Sequence, residues 1–327
     1  MYTFEEIAGN ELIKKNLQNA ILRETASHAY ILDGDAGMGK TLIVRTIAKT
    51  MQCESEGTTP CCVCVSCRIF DSLNHPDIVY VAPASRKSIG VDDIREQVSR
   101  SIETRPYKYK YKIFIIENAC TMTPAAQNAL LKTIEEPVGY GVFLLTSENI
   151  MSFLPTVLSR CVVLKLKPLA DSVVIKYLQD LGFSEKDVQE ISAYSRGNIG
   201  KALKLKDDEQ FYQIKELVFK TVAKDGNHIA VDAFKAAGEY DSFKESIQDV
   251  LDMLYIWYRD VLVYKSTGEI RFLIEKGSVI HIKKAAARLS EKSILNKLNA
   301  IFESGVKLKY NANFGMTINM LMMELKS

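Results

Sequence analysis

The chain has 327 residues, with 42 Lys plus Arg against 40 Asp plus Glu, 47% hydrophobic and 25% charged residues. This composition excludes a disordered or polybasic chain, predicts two or three domains at roughly 100–200 residues each, and leaves no apolar run near the ~18–20 residues of a membrane span. Residues 1–168 and 169–327 each carry a net charge of +1, so contact with nucleic acid would have to come from a local patch.

The N-terminus, Met1-Tyr2-Thr3-Phe4-Glu5-Glu6, is acidic and has no apolar signal core, so a cytoplasmic location is expected. A first apolar run, His28-Ala29-Tyr30-Ile31-Leu32, predicts a strand. It leads into Gly34-Asp35-Ala36-Gly37-Met38-Gly39-Lys40-Thr41, which fits G-x-x-x-x-G-K-[ST] between a strand and a helix over 40–51. In that context Gly34, Gly37 and Gly39 let backbone N–H groups converge on phosphates. Lys40 would neutralise them, and Thr41 would ligate Mg²⁺. ATP or ADP with Mg²⁺ is the expected ligand.

Five of the seven cysteines follow within fifteen residues: Cys53, Cys61, Cys62, Cys64 and Cys67. In a reducing compartment clustered thiols read as metal ligands before disulfides. Cys53, Cys61, Cys64 and Cys67 suit a closed, structural tetrahedral Zn²⁺ site, Cys61 being preferred over Cys62 for its x2 spacing to Cys64. An iron–sulfur site and uncoordinated thiols are the other readings.

Further runs, Ile78–Val81, Ile113–Ile116, Val142–Leu145 and Val162–Leu164, predict four more strands, with helices near 91–104 and 123–135 between them. Near-continuous apolar strands alternating with helices predict an α/β fold with a parallel sheet covered on both faces. Tyr107-Lys108-Tyr109-Lys110-Tyr111-Lys112 alternates rings and charges. A strand entry with one solvated face accounts for it better than a stacking surface for single-stranded nucleic acid. Arg95 and Arg100 read as a solvated helix face.

Glu117 ends the third strand, where a P-loop protein needs an acid for Mg²⁺. Asn118 follows, and an amide cannot act as a carboxylate base, so the residues favour nucleotide binding over hydrolysis. Beyond Pro168 strand signals almost vanish. Short helices are expected over 169–205 and long amphipathic helices from about 208, including Phe243–Val263 and Leu295–Leu325. Trp257, among Leu254, Tyr255 and Val261, reads as core or subunit interface. No Ser/His/Asp or Cys/His nucleophilic arrangement is visible.

The P-loop, the cysteine module, the run Thr123-Pro124-Ala125-Ala126-Gln127-Asn128-Ala129-Leu130-Leu131-Lys132-Thr133-Ile134-Glu135-Glu136-Pro137 and Ser159-Arg160-Cys161 together resemble the bacterial DNA polymerase III clamp loaders of the AAA+ class. Ser27-His28-Ala29-Tyr30 and Asn74-His75-Pro76-Asp77 match family segments as well. The resemblance is strong over 1–205 and weaker beyond, where Trp257-Tyr258-Arg259-Asp260 is similar.

The resemblance implies a nucleotide-binding domain over 1–168 with a zinc module at 53–67, a helical lid over 169–207 and a helical collar over 208–327. It implies an arginine finger at Arg160, acting in trans on a neighbour's nucleotide, and a sensor position at Thr146-Ser147. A polar strand end is the plain alternative for Thr146. The family's ATPase subunits (gamma/tau) carry Asp-Glu where this chain has Glu117-Asn118, and a lid arginine where it has Gly200. Both departures resemble the stator, or delta-prime, branch.

Such a subunit is a component of a polymerase holoenzyme, without polymerase activity and with weak or no ATPase activity of its own. Its implied partners are gamma/tau and delta subunits in a hetero-pentamer, the sliding clamp indirectly, and primer-template DNA within the assembly. Two alternatives stand beside this reading: a gamma/tau-like ATPase subunit, and a nucleotide-dependent nucleic-acid-binding switch outside replication.

Overall fold

The computed structural model describes residues 2–55, 57–84, 88–205, 209–223, 238–310 and 312–326. The chain forms two compact units, Met1–Leu181 with Arg196–Lys201, and Gly182–Ser195 with Ala202–Ser327. The expected boundary at 207/208 lies outside the described residues.

In the first unit, α1 (Glu11–Leu22) precedes β1 (Ala29–Asp33) and α2 (Lys40–Met51). The cysteine segment leads into α3 (Val65–Asp71), and β2 (Ile78–Val81) follows. The next helix, α4, runs over 91–102 and contains a π turn at Arg95–Ser99. Then come β3 (Lys112–Ile116), α5 (Pro124–Glu135), β4 (Gly141–Ser147), the short α6 (Pro155–Leu158) and β5 (Val162–Lys165). The sheet is wholly parallel in the order β2-β3-β4-β1-β5.

Strand alternation sends its residues to two separate cores. Ile31, Phe114, Ile116, Phe143 and Leu145 pack with α4 and α5, whereas Tyr30, Leu32, Ile113, Ile115 and Leu144 pack with α2 and Phe70. Both faces are therefore dry, which is why these strands read as continuous apolar runs. The central strands β1 and β4 end side by side, with Asp33 in register with Ser147. That pairing brings the phosphate loop and Thr146 to the same edge of the sheet.

The loop before β3 explains the Tyr/Lys alternation. Asp77 is 1% exposed, and its carboxylate accepts the backbone N–H groups of Tyr107 at 2.5 Å and of Lys108 and Tyr109 at 3.1 Å. Lys108 pairs with Glu54 and Lys110 with Glu24. Buried Lys112 caps the end of α4 by donating to Ser101 O at 2.5 Å and Thr104 O at 3.1 Å. Tyr109 lies against the His75 ring at 4.6 Å. Two of the three lysines are thus ion-paired and the third is a helix cap, but the segment is a bent loop with Tyr107 exposed and Lys112 buried, where the sequence predicts a strand entry with one solvated face.

Among the described residues the further α-helices include α7 (Asp171–Asp180), α8 (Glu185–Ser195), α9 (Ile199–Leu205), α10 (Glu209–Ala223), α11 (Ile247–Thr267), α12 (Val279–Arg288), α13 (Glu291–Lys309) and α14 (Phe314–Lys326). The helix expected over Leu295–Leu325 is two helices. The first ends at Lys309, and Asn313 starts the second: its Oδ1 accepts from Met316 N at 2.9 Å and caps α14. Trp257 is buried in α11. Nearby Asp260, fully buried, accepts from the N–H groups of Ile274 and Glu275 at 2.8 and 2.7 Å and pairs with Arg259. No described helix is long and apolar enough to cross a membrane.

Candidate nucleotide and metal sites

The phosphate loop is shaped by its glycines. Gly37 and Gly39 have φ of 84° and 83°, a region where a side chain is strained. Gly39 caps α2 in that left-handed conformation, and nothing lies within 4 Å of where its Cβ would be. Space is therefore open beside the first turn of α2, whose N–H groups have no intrahelical acceptor.

Lys40 is buried and braces the loop, its Nζ donating to Gly34 O at 2.6 Å and Asp35 O at 2.8 Å. Burial pushes its pKa down, against the pull of the Glu148, Asp35 and Asp33 carboxylates. Glu148 stands 3.9 Å from Nζ. Thr41 follows Lys40 on the first turn of α2.

Across the edge, Thr146 is buried and its Oγ1 accepts from Asn118 N at 2.9 Å, joining the ends of β3 and β4. Asn118 itself takes a left-handed φ of 51°, which asparagine tolerates. Glu117 gives one carboxylate oxygen to Arg45 Nη2 at 2.9 Å. Arg45 also donates to the Tyr2 hydroxyl at 2.8 Å, and its guanidinium carbon lies 5.6 Å from the centres of the Tyr2 and Tyr80 rings. Sequence reasoning missed this arginine. Its signal was a charge set among Ile43, Val44 and Ile47 on a helix packed against the sheet.

The segment 197–201 closes on the loop. Gly200 N donates to Gly37 O at 2.9 Å, and Asn198 Nδ2 donates to Ala36 O at 2.6 Å. Asn198 Oδ1 accepts from Lys201 N at 2.9 Å. The loop thus has the lysine, the helix N-terminus and the open space that a nucleotide's phosphates require. It has neither a carboxylate at 118 nor an arginine at 200 for hydrolysis. The residues present fit the phosphates of ATP or ADP, and bound Mg²⁺ would add charge neutralisation near Thr41 and Glu117.

The thiols of Cys53, Cys61, Cys64 and Cys67 all lie within 4.8 Å of one another. Zn–S bonds of about 2.3 Å in a tetrahedron set sulfurs about 3.8 Å apart, so the four suit one ion. Backbone N–H groups point at the sulfurs: Cys61 N to Cys53 Sγ at 3.3 Å, Cys64 N to Cys61 Sγ and Cys67 N to Cys64 Sγ, both at 3.4 Å. Hydrogen bonds from Ser55 first, then from the N–H groups of Val63 and Cys64, bring the Cys61 thiol down to about 6. Burial pushes Cys67 and Cys53 up. Cys62 stands outside the set, with its Sγ against Pro60 O at 3.5 Å.

Arg160 follows α6 on the surface. Its Nη2 is 2.8 Å from Glu135 Oε1, and its Nη1 donates to Thr156 O and Ser159 Oγ, both at 3.1 Å. It is not near the chain's own phosphate loop by any of these contacts.

Comparison with known proteins follows the same lines. Residues 9–170 match the family described as DNA polymerase III, delta subunit. The chain is 30% identical over 313 residues to DNA polymerase III subunit delta' of Bacillus subtilis, covering 93% of each protein. It is 26% identical to DNA polymerase III subunit tau of the same organism, over 94% of this chain, and spans 58% of that relative's length. A solved structure, a DNA polymerase III gamma subunit-related protein from Thermotoga maritima, aligns over 96% of this chain and 99% of its own, with 17% identity and a TM-score of 0.39. On its identity and coverage with the Bacillus subtilis protein, the chain belongs to the DNA polymerase III delta' family of clamp-loader AAA+ proteins.

Proposed function

We propose that this chain is a stator-type subunit of the clamp loader. It places Arg160 against ATP held by an adjacent subunit, and it helps couple that ATP to opening the sliding clamp and releasing it on primed DNA. Gamma/tau and delta subunits are its partners in a hetero-pentamer, working in the cytoplasm. The lid spans 169–207 and the collar 208–327. The four cysteines hold a structural zinc. The P-loop keeps a nucleotide site that does not turn over.

One observation carries the reading: Gly200 rests on Gly37 by its backbone, where an arginine reaching a γ phosphate would need a side chain. With Asn118 in place of a carboxylate, the chain's own site lacks both hydrolytic groups. Its Arg160 is exposed, is held by Glu135, Thr156 and Ser159 and not by the chain's own phosphate loop, and serves a different site. An arginine supplied in trans is worth about 10³–10⁵ in rate.

Reconstitution with the gamma/tau and delta subunits tests this. Arg160→Ala is expected to leave assembly intact and to lower DNA-stimulated ATPase and clamp loading. An unchanged rate removes the finger. ATP hydrolysis by the purified chain alone, lost in Lys40→Ala, would make it an ATPase subunit instead.

A further inference from the structure

Three sequence segments that the phosphate loop does not use meet at one place. They are Ser27-His28-Ala29-Tyr30, the Ile134-Glu135-Glu136-Pro137 end of α5, and Ser159-Arg160-Cys161. His28 Nε2 lies 3.1 Å from Ile134 O in the last turn of α5. A carbonyl only accepts, so the ring carries its proton on Nε2 and donates. The next residue, Glu135, ends the helix and reaches Arg160 Nη2 at 2.8 Å.

Helix preference does not account for Glu135. A carboxylate in the last turn faces the negative end of the helix dipole and is disfavoured there. The pair's stability does not account for it either. Both side chains are 39% exposed, and exposed ion pairs contribute little. What the contact does achieve is orientation. Glu135, Thr156 O and Ser159 Oγ take three of the guanidinium's donors and fix a side chain that is otherwise rich in rotamers. Of the five N–H groups of an arginine, one on Nε and one on Nη2 remain for a phosphate.

We propose that Glu135 is the positioning residue for Arg160. Its carboxylate, set by the His28-capped end of α5, holds the guanidinium in the orientation in which it meets the neighbour's nucleotide. This rests on the reading of Arg160 as a finger in trans.

The test compares four loaders reconstituted with gamma/tau and delta: wild type, Glu135→Gln, Arg160→Ala and the double variant. DNA-stimulated ATPase is read as kcat and KM for ATP, with assembly followed by size-exclusion chromatography. Misplacing a group by about 1 Å can cost on the order of a hundredfold. Glu135→Gln keeps a weaker acceptor, so a loss of about tenfold in kcat with little change in KM is expected.

The double variant should be no slower than Arg160→Ala, because Glu135 acts only through the arginine. If Arg160→Ala is slow but Glu135→Gln is as fast as wild type, or the two losses multiply, the positioning role is overturned while the finger stands. If Arg160→Ala itself is unchanged, the finger and its positioning residue fall together. Loss of assembly in Glu135→Gln, with Glu135→Ala behaving alike, would make the residue structural and overturn the proposal.

Discussion

The backbone N–H of Gly200 donates to the carbonyl of Gly37 at 2.9 Å, and a Cβ built at position 200 would fall 2.5 Å from Gly37 Cα. Two backbones approach this closely only when neither bears a side chain. A side chain at position 200 would run into the phosphate loop itself, which packs against Gly200 with its Gly37 backbone. Gly200→Ala is expected to destabilise the chain by about 1–3 kcal/mol, the usual cost of overpacking, read as a lower urea midpoint. Gly200→Arg should do the same and should not confer ATPase activity, since Asn118 still supplies no carboxylate. A stable Gly200→Ala with an unshifted midpoint would mean the two segments are not in contact in solution.

Zinc content is the direct check on the thiols. Elemental analysis should find one zinc per chain, lost in Cys64→Ser and retained in Cys62→Ser, because Cys62 lies outside the four-sulfur set. The Cys64 sulfur also accepts Cys67 N, and its own N–H donates to Cys61 Sγ, so its loss disturbs both neighbours. A strong chelator should lower the melting temperature of the wild type and leave Cys64→Ser nearly unmoved. Zinc lost equally in both serine variants would bring Cys62 into the site.

Much of this was legible in the sequence because its signals are local. Five apolar strands, the loop from Gly34 to Thr41 and the spacing of Cys61, Cys64 and Cys67 each lie within a short stretch whose chemistry is readable in place. Contacts made over long separations were not legible. Arg45 meets Glu117 and Gly200 meets Gly37 at the end of the sheet where β1 and β3 finish, and His28 meets Ile134 at the opposite end, where β1 begins; only the folded sheet brings these distant segments together. The Leu295–Leu325 run failed for a different reason. The first helix ends at Lys309 and the second starts at Phe314 with Asn313 as its cap, a break that the apolar periodicity does not mark.

Asp77 holds the backbone of the loop before β3 from a buried position. Its two carboxylate oxygens accept three backbone N–H groups, from Tyr107, Lys108 and Tyr109, in a buried position. A hydrogen bond to a charged acceptor contributes about 1.5–3 kcal/mol, and orphaned buried donors add their own cost. Asp77→Ala should therefore lose about 3 kcal/mol or more by urea denaturation. Asp77→Asn keeps one acceptor oxygen and should lose less. Equal, small losses in both would show that water replaces the carboxylate and that the loop is held elsewhere.

The neighbouring His75 gives the fold a pH dependence with a definite sign. Its Nδ1 accepts from Asp77 N at 3.2 Å, so its proton is on Nε2, which faces Ser66 Oγ at 3.1 Å. Burial withholds water from the imidazolium and lowers the pKa below its usual 6.5, with the Asp77 carboxylate opposing. A second proton would also turn Nδ1 from acceptor into donor, against Asp77 N. Below pH 6.5 the unfolded chain then binds a proton that the folded chain excludes. Stability from this group is complete above 6.5 and is lost as pH falls through the lowered folded value. Urea midpoints at pH 7.5, 6.5 and 5.5 should fall toward acid in the wild type. Zinc held by the four cysteines would be released at low pH and would steepen that fall, so the comparison that isolates His75 is with His75→Asn, whose slope should be shallower. Parallel slopes in the two proteins would show that His75 takes up its proton in the folded chain without penalty.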